Sequence, residues 1–392
     1  MKKQKDLSNI NTYLIVALVI VVAIGLYFTL SVPTVKKEAE QPILAKQLTL
    51  TLVGADCKDC FNVSVAVDFI KQQPNINVTE VKEISLEDAT DTIAKYNLSR
   101  LPALLISGEI ANLTIPNFET REDSLVFDKA PAPYYDVASK KVKGKVSLIV
   151  LEDASCKDCF DMNAVVAQLK QAGVKIVTEQ KVDAKSDEGK QLISTYKIEK
   201  VPTLLFNKEA MEYDVISQVW GQVGTEESDG KLVLRFVNPP YVNVTSGKTE
   251  GMVNLIYLMD ESCAECYNAT VLKELFQQSF NMYFKGEETI DVTSTKGKMM
   301  VKKYAIEAVP TVVLSKEATV YPNFAAAWNS AGTEEKDGAF VFRQVSLLKD
   351  YFAQSGGNFS YKNLTSGEIL SGTSAPEAIT EEAEITIPSE EE

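Results

Sequence analysis

The chain has 392 residues, of which 45% are hydrophobic and 24% charged, and its formal net charge is −14. A globular chain of this length suits two to four domains of about 100–150 residues. The negative charge argues against a nucleic-acid partner, because phosphate binding needs a basic face. The chain contains no histidine. This excludes Ser-His-Asp and Cys-His nucleophile systems and every His-ligated metal site.

The first element in the chain is an uncharged run of 18 residues, Tyr13–Leu30, which follows lysines at positions 2, 3 and 5. A helix of this length rises about 1.5 Å per residue and is just long enough to span a bilayer. The lysines favour a cytoplasmic N-terminus. We therefore predict a single-pass membrane protein whose remaining domains are extracytoplasmic. A cleaved signal peptide is the alternative, although its apolar core is usually only about 7–15 residues long.

One sequence pattern then occurs three times, and it contains all six cysteines. Each copy has an apolar run, a Cys-x-x-Cys pair, a stretch with helical spacing, and a second helix that ends near a tyrosine. A hydrophobic-proline step follows 45 to 47 residues after the first cysteine, and a further apolar run comes next. The first runs are Leu48–Val53, Val146–Leu151 and Val253–Leu258, the tyrosines are Tyr96, Tyr196 and Tyr304, and the later runs are 103–106, 203–206 and 311–314. The order strand, helix, strand, helix, strand predicts an α/β fold with a partly parallel sheet.

We therefore predict three tandem domains, called here repeats one, two and three, at residues 46–139, 140–246 and 247–366. Residues 1–45 are the cytoplasmic start, the anchor and a linker, and residues 367–392 form an acidic tail that we expect to be disordered. A tyrosine and a serine five positions apart recur at each junction, at Tyr134/Ser139, Tyr241/Ser246 and Tyr361/Ser366. A linker of fixed length predicts domains that are docked in a set orientation.

Repeats two and three each contain one tryptophan, Trp220 and Trp328, followed by an Asp-Gly pair. Asp-Gly between two apolar segments predicts a β-hairpin. The tryptophans either form a partner-binding surface or pack in the core of this extension. Core packing is the favoured interpretation, because tryptophan buries a large apolar area.

The cysteine pairs are poorly placed to act as structural cross-links. A four-residue loop contributes only about 2 kcal/mol, against nearly 5 kcal/mol for a loop of about 100 residues. At a strand-to-helix turn, however, the helix N-terminus would stabilise a thiolate, and a second cysteine three residues on, one helical turn below, could resolve a mixed disulfide. We therefore assign the first cysteines as attacking thiols and the second as resolving thiols. The pairs are Cys57/Cys60, Cys156/Cys159 and Cys263/Cys266.

From Lys46 to Ser366 the chain resembles the thioredoxin superfamily, and its tandem copies resemble exported proteins of the protein disulfide isomerase or bacterial Dsb type. The resemblance implies three tandem thioredoxin-like domains behind the transmembrane helix, without a cofactor. It also implies that each proline is cis, faces the cysteine pair and leaves the neighbouring backbone free to pair with an extended substrate. These substrate-binding positions would be Leu101-Pro102, Val201-Pro202 and Val309-Pro310. The implied partners are thiols and disulfides of exported proteins or peptides.

The residues around the cysteines depart from the best-known reductants of that superfamily, which carry Trp before the first cysteine and Gly-Pro between the two. Here the intervening dipeptides are Lys58-Asp59, Lys157-Asp158 and Ala264-Glu265, with further acids at Asp56, Glu152, Asp153, Asp260 and Glu261. Negative charge opposes ionisation of a thiol. Repeat three has no lysine between its cysteines, so we predict that Cys263 is the least acidic of the three attacking thiols.

Two other functions compete with exchange chemistry. The thiols could bind zinc or an iron–sulfur cluster, but four ligands would require pairs from different repeats to meet. The stronger alternative is a non-catalytic, membrane-tethered scaffold or peptide-binding protein with residual disulfides. Eight Asn-x-Ser/Thr sequons favour a glycosylated surface in either case. They begin at Asn62, Asn77, Asn97, Asn112, Asn243, Asn268, Asn358 and Asn363. The sequence leaves the oligomeric state and the direction of exchange open.

Overall fold

The computed structural model describes residues 45–355 and 359–371. These residues form two compact units. The first unit comprises residues 45–52, 64–83 and 104–126, and the second comprises residues 53–63, 84–103 and the described residues from 127 onward. The predicted span Tyr13–Leu30 lies outside the described residues. Among the helices of the described part, none has the length and apolar character that a bilayer crossing requires.

Each repeat contributes a five-stranded main sheet. In repeat one its strands are β1 (Lys46–Val53), β2 (Ile76–Ile84), β4 (Ala103–Gly108), β5 (Glu119–Arg121) and β6 (Ser124–Phe127). In repeat two they are β9 (Val146–Glu152), β10 (Ile176–Asp183), β12 (Thr203–Phe206), β13 (Gly224–Glu226) and β14 (Leu232–Leu234). In repeat three they are β17 (Val253–Met259), β18 (Phe284–Asp291), β20 (Thr311–Leu314), β21 (Gly332–Glu334) and β22 (Phe340–Phe342).

The three main sheets have the same strand order: β2-β1-β4-β6-β5, β10-β9-β12-β14-β13 and β18-β17-β20-β22-β21. In repeats two and three the first strand pairs parallel with the second and antiparallel with the strand after the proline. The central strand, β12 in repeat two, is buried because it is apolar on both faces; Leu204, Leu205 and Phe206 are each at most 2% exposed. The predicted mixed α/β architecture, repeated three times, is confirmed.

Each repeat also has a small three-stranded sheet, which was not predicted from the sequence. Its first strand contains the residue before the predicted cis-proline. Its other two strands form a hairpin at the C-terminal end of the repeat, where the chain passes to the next segment. The strands are β3 (Arg100–Leu101), β7 (Tyr134–Asp136) and β8 (Lys141–Lys143); β11 (Lys200–Val201), β15 (Tyr241–Asn243) and β16 (Lys248–Glu250); and β19 (Ala308–Val309), β23 (Ser360–Asn363) and β24 (Ile369–Ser371). We call β7–β8, β15–β16 and β23–β24 the junction hairpins.

The junction hairpins explain the fixed linker length seen in the sequence. The predicted boundaries 139/140 and 246/247 fall in the turns of the first two hairpins, and they stay a prediction. The third boundary is followed by strand β24, so the prediction of disorder is wrong for residues 369–371, whose backbone pairs with β23. The rest of the predicted tail lies outside the described residues.

The long helices occur in two equivalent sets. The first set is Ser64–Lys71, Met162–Gln171 and Thr270–Phe280, and the second set is Thr90–Tyr96, Asp187–Tyr196 and Thr295–Tyr304. The predicted ends at Tyr96, Tyr196 and Tyr304 are therefore confirmed. Shorter helices are Asp214–Ser217, Trp220–Val223, Phe324–Trp328 and Leu348–Ser355, with 3₁₀ turns at Lys208–Glu212, Lys316–Val320 and Val345–Leu347. Ser186 and Ser294 cap the second helices of repeats two and three by accepting a bond from the N–H three residues on.

The two tryptophans are core residues, as favoured by the sequence. Trp220 is 5% exposed and Trp328 is 4% exposed, and each packs in the large cluster on one side of its main sheet. Trp328 Nε1 donates to the carbonyl of Thr333 at 3.1 Å. The Asp-Gly pairs lie in the loops that join β13 to β14 and β21 to β22, so both predicted hairpins are confirmed.

Candidate functional site

The cysteines are bonded within each Cys-x-x-Cys pair, with Cα–Cα distances of 5.3, 5.5 and 5.4 Å in repeats one, two and three. The pairs do not lie at helix N-termini, and that prediction is wrong. The following helices begin at Ser64, Met162 and Thr270, six or seven residues after the first cysteine. A helix dipole acts only within its terminal turn, so it does not reach these sulfurs.

The second cysteines are likewise not placed one helical turn below the first. Cys60, Cys159 and Cys266 all precede the first residue of the following helix, which contradicts the predicted placement of the resolving thiols. In repeats one and three the backbone forms a tight turn instead, in which the N–H of Cys60 or Cys266 donates to the carbonyl of the first cysteine at 3.2 Å. The disulfides show that each second cysteine still reaches its partner. The resolving role therefore stays a prediction that rests on proximity and not on a helix.

The residue after each second cysteine shows why the helix starts late. The backbone N–H groups of Phe61, Phe160 and Tyr267 donate to carbonyls of Pro133, Pro240 and Ser360, at 3.0, 2.7 and 2.8 Å. These carbonyls lie at the start of each junction hairpin or directly before it. The chain is therefore tied to the hairpin as it leaves the cysteine pair, and only afterwards turns into a helix.

All three predicted prolines follow a cis peptide bond: Leu101-Pro102, Val201-Pro202 and Val309-Pro310. That part of the prediction is confirmed, and both residues of each step are buried. Two further cis bonds, Ala132-Pro133 and Pro239-Pro240, were not predicted.

In repeat one the cysteine pair and the proline step belong to the same compact unit, which contains residues 53–63 and 84–103. Cys57 and Cys60 are both partly exposed, whereas Leu101 and Pro102 are buried. The attacking role of Cys57 and the resolving role of Cys60 are predictions from the sequence, and they rest here on the disulfide alone.

In repeat two the structure brings the predicted residues together. Cys156, Cys159 and Pro202 line one cavity of about 380 Å³, and the two cysteines pack against the apolar cluster that contains Val201. Both cysteines are partly exposed. The disulfide of this pair is therefore accessible to a reagent that enters the cavity.

In repeat three the proline step also lies beside the sulfurs. Cys266 Sγ is 3.9 Å from the carbonyl oxygen of Val309, and the Tyr267 hydroxyl donates to the carbonyl of Pro310 at 2.7 Å. Cys263, however, is only 8% exposed, whereas the first cysteines of repeats one and two are partly exposed. Cys263 is therefore the least accessible of the three first cysteines.

The backbone before each proline is not free, and this part of the prediction is wrong. Leu101 pairs with Tyr135, Val201 with Val242, and Val309 with Lys362. The physical reason is that the junction hairpin returns to the edge where an extended substrate was expected to bind.

The register shows that both polar groups of these residues are used. Val244 N donates to the carbonyl of Glu199 at 2.8 Å, which marks a hydrogen-bonded pair of the antiparallel ladder. Such pairs recur every second residue, so Val201 opposite Val242 is also a hydrogen-bonded pair. The same register holds at Ser99 with Val137 in repeat one and at Glu307 with Leu364 in repeat three. Each site is thus occupied by the chain's own strand.

In repeat two the hairpin also reaches the attacking sulfur. Thr249, on the second hairpin strand, places Oγ1 3.8 Å from Cys156 Sγ. Sequence reasoning missed this residue because it lies 93 positions further along the chain.

A buried aspartate three residues before the first cysteine holds the cysteine loop in repeats two and three. Asp153 accepts from the N–H and hydroxyl of Ser155, and Asp260 accepts from the same groups of Ser262. A lysine completes each cluster: Lys185 lies 3.0 Å from Asp153, and Lys362 lies 2.6 Å from Asp260. Repeat one has Gly54 at this position and lacks the cluster.

The lysines set the charge state of these aspartates. Burial alone would raise the pKa of Asp153, but hydrogen bonds from Ser155 and Lys185 outweigh it and hold the pKa below its ordinary value. The hydrogen bonds from Lys362 and Ser262 lower the pKa of Asp260. The sequence argument that repeat three lacks a compensating lysine was incomplete, because Lys362 comes from strand β23. The ranking of Cys263 as the least acidic thiol stays a prediction.

Two of the acids between the cysteines, Asp59 and Asp158, contact the following repeat. Asp59 lies 3.0 Å from Lys175 and 3.8 Å from Lys145, and the bond from Lys175 lowers the pKa of Asp59. Asp158 accepts a hydrogen bond from the Tyr283 hydroxyl at 2.8 Å. Both residues therefore take part in contacts between successive repeats.

After reduction, we expect an alkylating reagent to modify Cys263 at least several times more slowly than Cys57 or Cys156, because Cys263 is buried. Alkylation rates followed by mass spectrometry over a range of pH would check this order and would also rank the acidity of the three thiols. Denatured chain, in which all six thiols are exposed, serves as the control. Equal rates in the folded chain would contradict the expectation.

The common sheet order, the cysteine pair after the first strand and the cis-proline before the antiparallel strand together define the fold. The three repeats are thioredoxin-like. Neither a protein-family profile nor a curated protein sequence matches the chain.

Solved structures give only distant likenesses. The alkylhydroperoxide reductase component AhpF of Enterococcus faecalis is 14% identical over 42% of this chain and 82% of its own, with a TM-score of 0.14. Full-length ERdj5 is 10% identical over 70% of this chain and 42% of its own, with a TM-score of 0.15. The zinc-bound form of human ERp44 is 13% identical over 71% of this chain and 81% of its own, with a TM-score of 0.14.

Proposed function

We propose that the chain is a thiol–disulfide oxidoreductase that acts on exported proteins, with repeat two as a centre that substrates reach. The observation that carries this proposal is the cavity beside Pro202 into which Cys156 and Cys159 open. Three cysteine pairs at disulfide distance, each in a thioredoxin-like repeat, support it.

The reaction needs only the two sulfurs and a partner. With the pair reduced, the thiolate of Cys156 attacks a substrate disulfide, forms a mixed disulfide and releases one substrate thiolate. The thiolate of Cys159 then attacks Cys156 Sγ, which releases the second substrate thiolate and leaves the pair oxidised. In the opposite direction, a substrate dithiol reduces the bonded pair and is itself oxidised. Disulfides persist outside the cytoplasm, so an extracytoplasmic location favours oxidation or isomerisation.

The location and surface remain part of the proposal. Tyr13–Leu30 would anchor the chain, with the N-terminus cytoplasmic and the repeats outside. Of the sequon asparagines, seven lie among the described residues, and each of them is at least partly exposed, which is compatible with glycosylation.

A non-catalytic scaffold is the second candidate, and two observations favour it. The junction hairpins occupy the edge beside the three predicted cis-prolines, and the acids of the first two cysteine loops contact the following repeat. In that function the disulfides would only stiffen the loops that join the repeats.

Single-centre variants separate the two candidates. With the other four cysteines replaced by serine, Cys159→Ser should trap a mixed disulfide at Cys156, because the resolving thiol is gone. Mass spectrometry of the non-reduced adduct with a disulfide-containing peptide checks this. We expect Cys156→Ser, the matched control, to trap at least about a hundredfold less, since in the proposed mechanism the remaining thiol of Cys159 resolves the mixed disulfide and does not attack the substrate.

The same chain with both repeat-two cysteines intact should catalyse reduction or refolding of a disulfide substrate. If no variant of any repeat forms an adduct, and turnover equals that of the cysteine-free chain, the oxidoreductase proposal fails and the scaffold remains.

A further inference from the structure

Successive repeats are joined by one recurring contact. The acid before the second cysteine, Asp59 or Asp158, meets the residue that precedes the second strand of the next repeat, Lys175 or Tyr283. These two partners hold the same structural position, because the carbonyl of Lys175 accepts from Val146 N at 3.0 Å and that of Tyr283 accepts from Val253 N at 3.3 Å. We call the acid and its cysteine loop the donor face, and the surface of the next repeat that receives this loop the acceptor face. The two names refer to the docking of the loop and not to the direction of the hydrogen bonds.

The acceptor face has a second part, which lies after the strand that follows the cis-proline. In repeat two, Glu212 of the 3₁₀ turn Lys208–Glu212 accepts a hydrogen bond from the hydroxyl of Tyr134 in repeat one, at 2.6 Å. The second and third repeats thus each receive the donor face of the repeat before them.

Repeat one has the corresponding acceptor face. Asn75 holds the position of Lys175 and Tyr283, since its carbonyl accepts from Lys46 N at 2.8 Å. A cavity of about 320 Å³ lies beside Asn75, and its lining includes Phe69, Pro74 and the segment Leu113–Pro116 that follows strand β4. Phe69 is 51% exposed and the neighbouring Val65 is 62% exposed. This is an apolar surface at a position that is occupied in the other two repeats.

Repeat three has the corresponding donor face. Glu265 stands at the position of Asp59 and Asp158 and is exposed, and among the described residues it makes no hydrogen bond or ion pair. Lys46 and the amide of Asn75 on the acceptor face of repeat one would complement its negative charge.

We propose that the chain associates head to tail with a second copy of itself, the donor face of repeat three docking on the acceptor face of repeat one. This contact between two chains would be the same as the contact that joins repeat one to repeat two and repeat two to repeat three within one chain. It is a heterologous interface, because the two surfaces differ, and each chain offers one of each. The proposal does not depend on whether the disulfides exchange.

The test uses the full-length chain, in detergent if its N-terminal segment requires it, with a photoreactive benzoyl-phenylalanine in place of Phe69. Isotopically light and heavy chains are mixed, illuminated and digested. We expect cross-linked peptides that join light residue 69 to heavy residues of the loop around Glu265, in a yield that rises with protein concentration. A probe at Val219, an exposed residue of repeat two, is the matched control and should give no such peptide.

Charge variants give a second readout by sedimentation. Glu265→Lys should raise the dissociation constant about tenfold or more, because it places like charges in contact. Combination with Lys46→Glu should lower it again, whereas Glu334→Lys on strand β21 carries the same charge change and should have no effect.

Three results would overturn the proposal: cross-links from residue 69 only within one chain, for example to residues 372–392; cross-links only to detergent or lipid; or a chain that stays monomeric at every concentration. Each of them would assign the apolar surface to another occupant or to none.

Discussion

Replacing Lys362 by Met should destabilise repeat three by about 3 kcal/mol, whereas Lys185→Met should cost repeat two about 1 kcal/mol or less. Both changes leave an aspartate without its lysine. The two ion pairs differ in solvent access, because the side chain of Lys362 is 23% exposed and that of Lys185 is 63% exposed. Removing either lysine leaves the charge of a buried aspartate uncompensated, and the cost is smaller at Asp153, because solvent screens its pair with the more exposed Lys185 more strongly.

Lys362 also joins three parts of the candidate site. Its backbone pairs with Val309, its side chain contacts Asp260 and Ser262, and it lies on the first strand of the junction hairpin. The variant should therefore loosen the hairpin and the cysteine loop together. Hydrogen exchange of peptides from β17, β19 and β23 is the suitable measurement, because a chain of several repeats does not unfold in one two-state step.

Low pH should destabilise the same part of repeat three, because it protonates Asp260. The pKa of Asp260 is lowered from 3.8 in the folded protein, so its ionised form favours folding. This contribution is complete above the ordinary carboxylate range and is lost as the pH falls through the lowered folded value. Lys362→Met removes the main cause of the shift and should weaken the acid dependence of repeat three. Equal losses of protection in the Lys362 and Lys185 variants would show that the exposure of the lysine does not set the cost. No loss in either variant would show that the aspartates are held by their serines alone.

Local sequence patterns predicted much of the fold. The strands before the cysteines, the helices that end at tyrosine and the burial of Trp220 and Trp328 all follow from apolar periodicity within one repeat. The three cis-prolines were predicted only through the resemblance to a known superfamily, because a sequence does not itself show the isomer of a peptide bond.

The errors concern contacts between residues that are distant in the chain. Strands of two to four residues, such as β11 and β15, are too short to show an alternating pattern, so the junction hairpins appeared only as linkers of fixed length. Lys362 lies 102 positions from Asp260, and nothing in the cysteine loop reveals it.

The late start of the helices, which leaves Cys60, Cys159 and Cys266 outside them, has the same origin. Phe61 and Phe160, the residues after the first two of these cysteines, are bound to carbonyls of Pro133 and Pro240. These bonds are made by the fold and not by neighbours in the chain, so the helical spacing after each pair could not show where the helix begins.

The most informative variant for the function is Val242→Pro, which should raise the rate of exchange with an extended peptide disulfide on the order of tenfold. Proline has no N–H, so it cannot donate a hydrogen bond to Val201. The lost ladder hydrogen bond is worth about 1–1.5 kcal/mol, and this raises the fraction of chains with an open edge on the order of tenfold. The measurement is made on a chain that retains only Cys156 and Cys159. A small disulfide, which enters the cavity without pairing as a strand, should react at an unchanged rate.

Val242→Ala is the control, because it removes most of the side chain but keeps the N–H that closes the ladder. If both variants accelerate the peptide reaction equally, loss of packing at this 7% exposed residue is the cause, and the ladder is not the gate. If neither variant does, extended substrates do not use the edge beside Pro202 at all. Faster reaction in the proline variant alone would mean that the junction hairpin holds the place of a substrate strand and decides which disulfides reach the sulfurs.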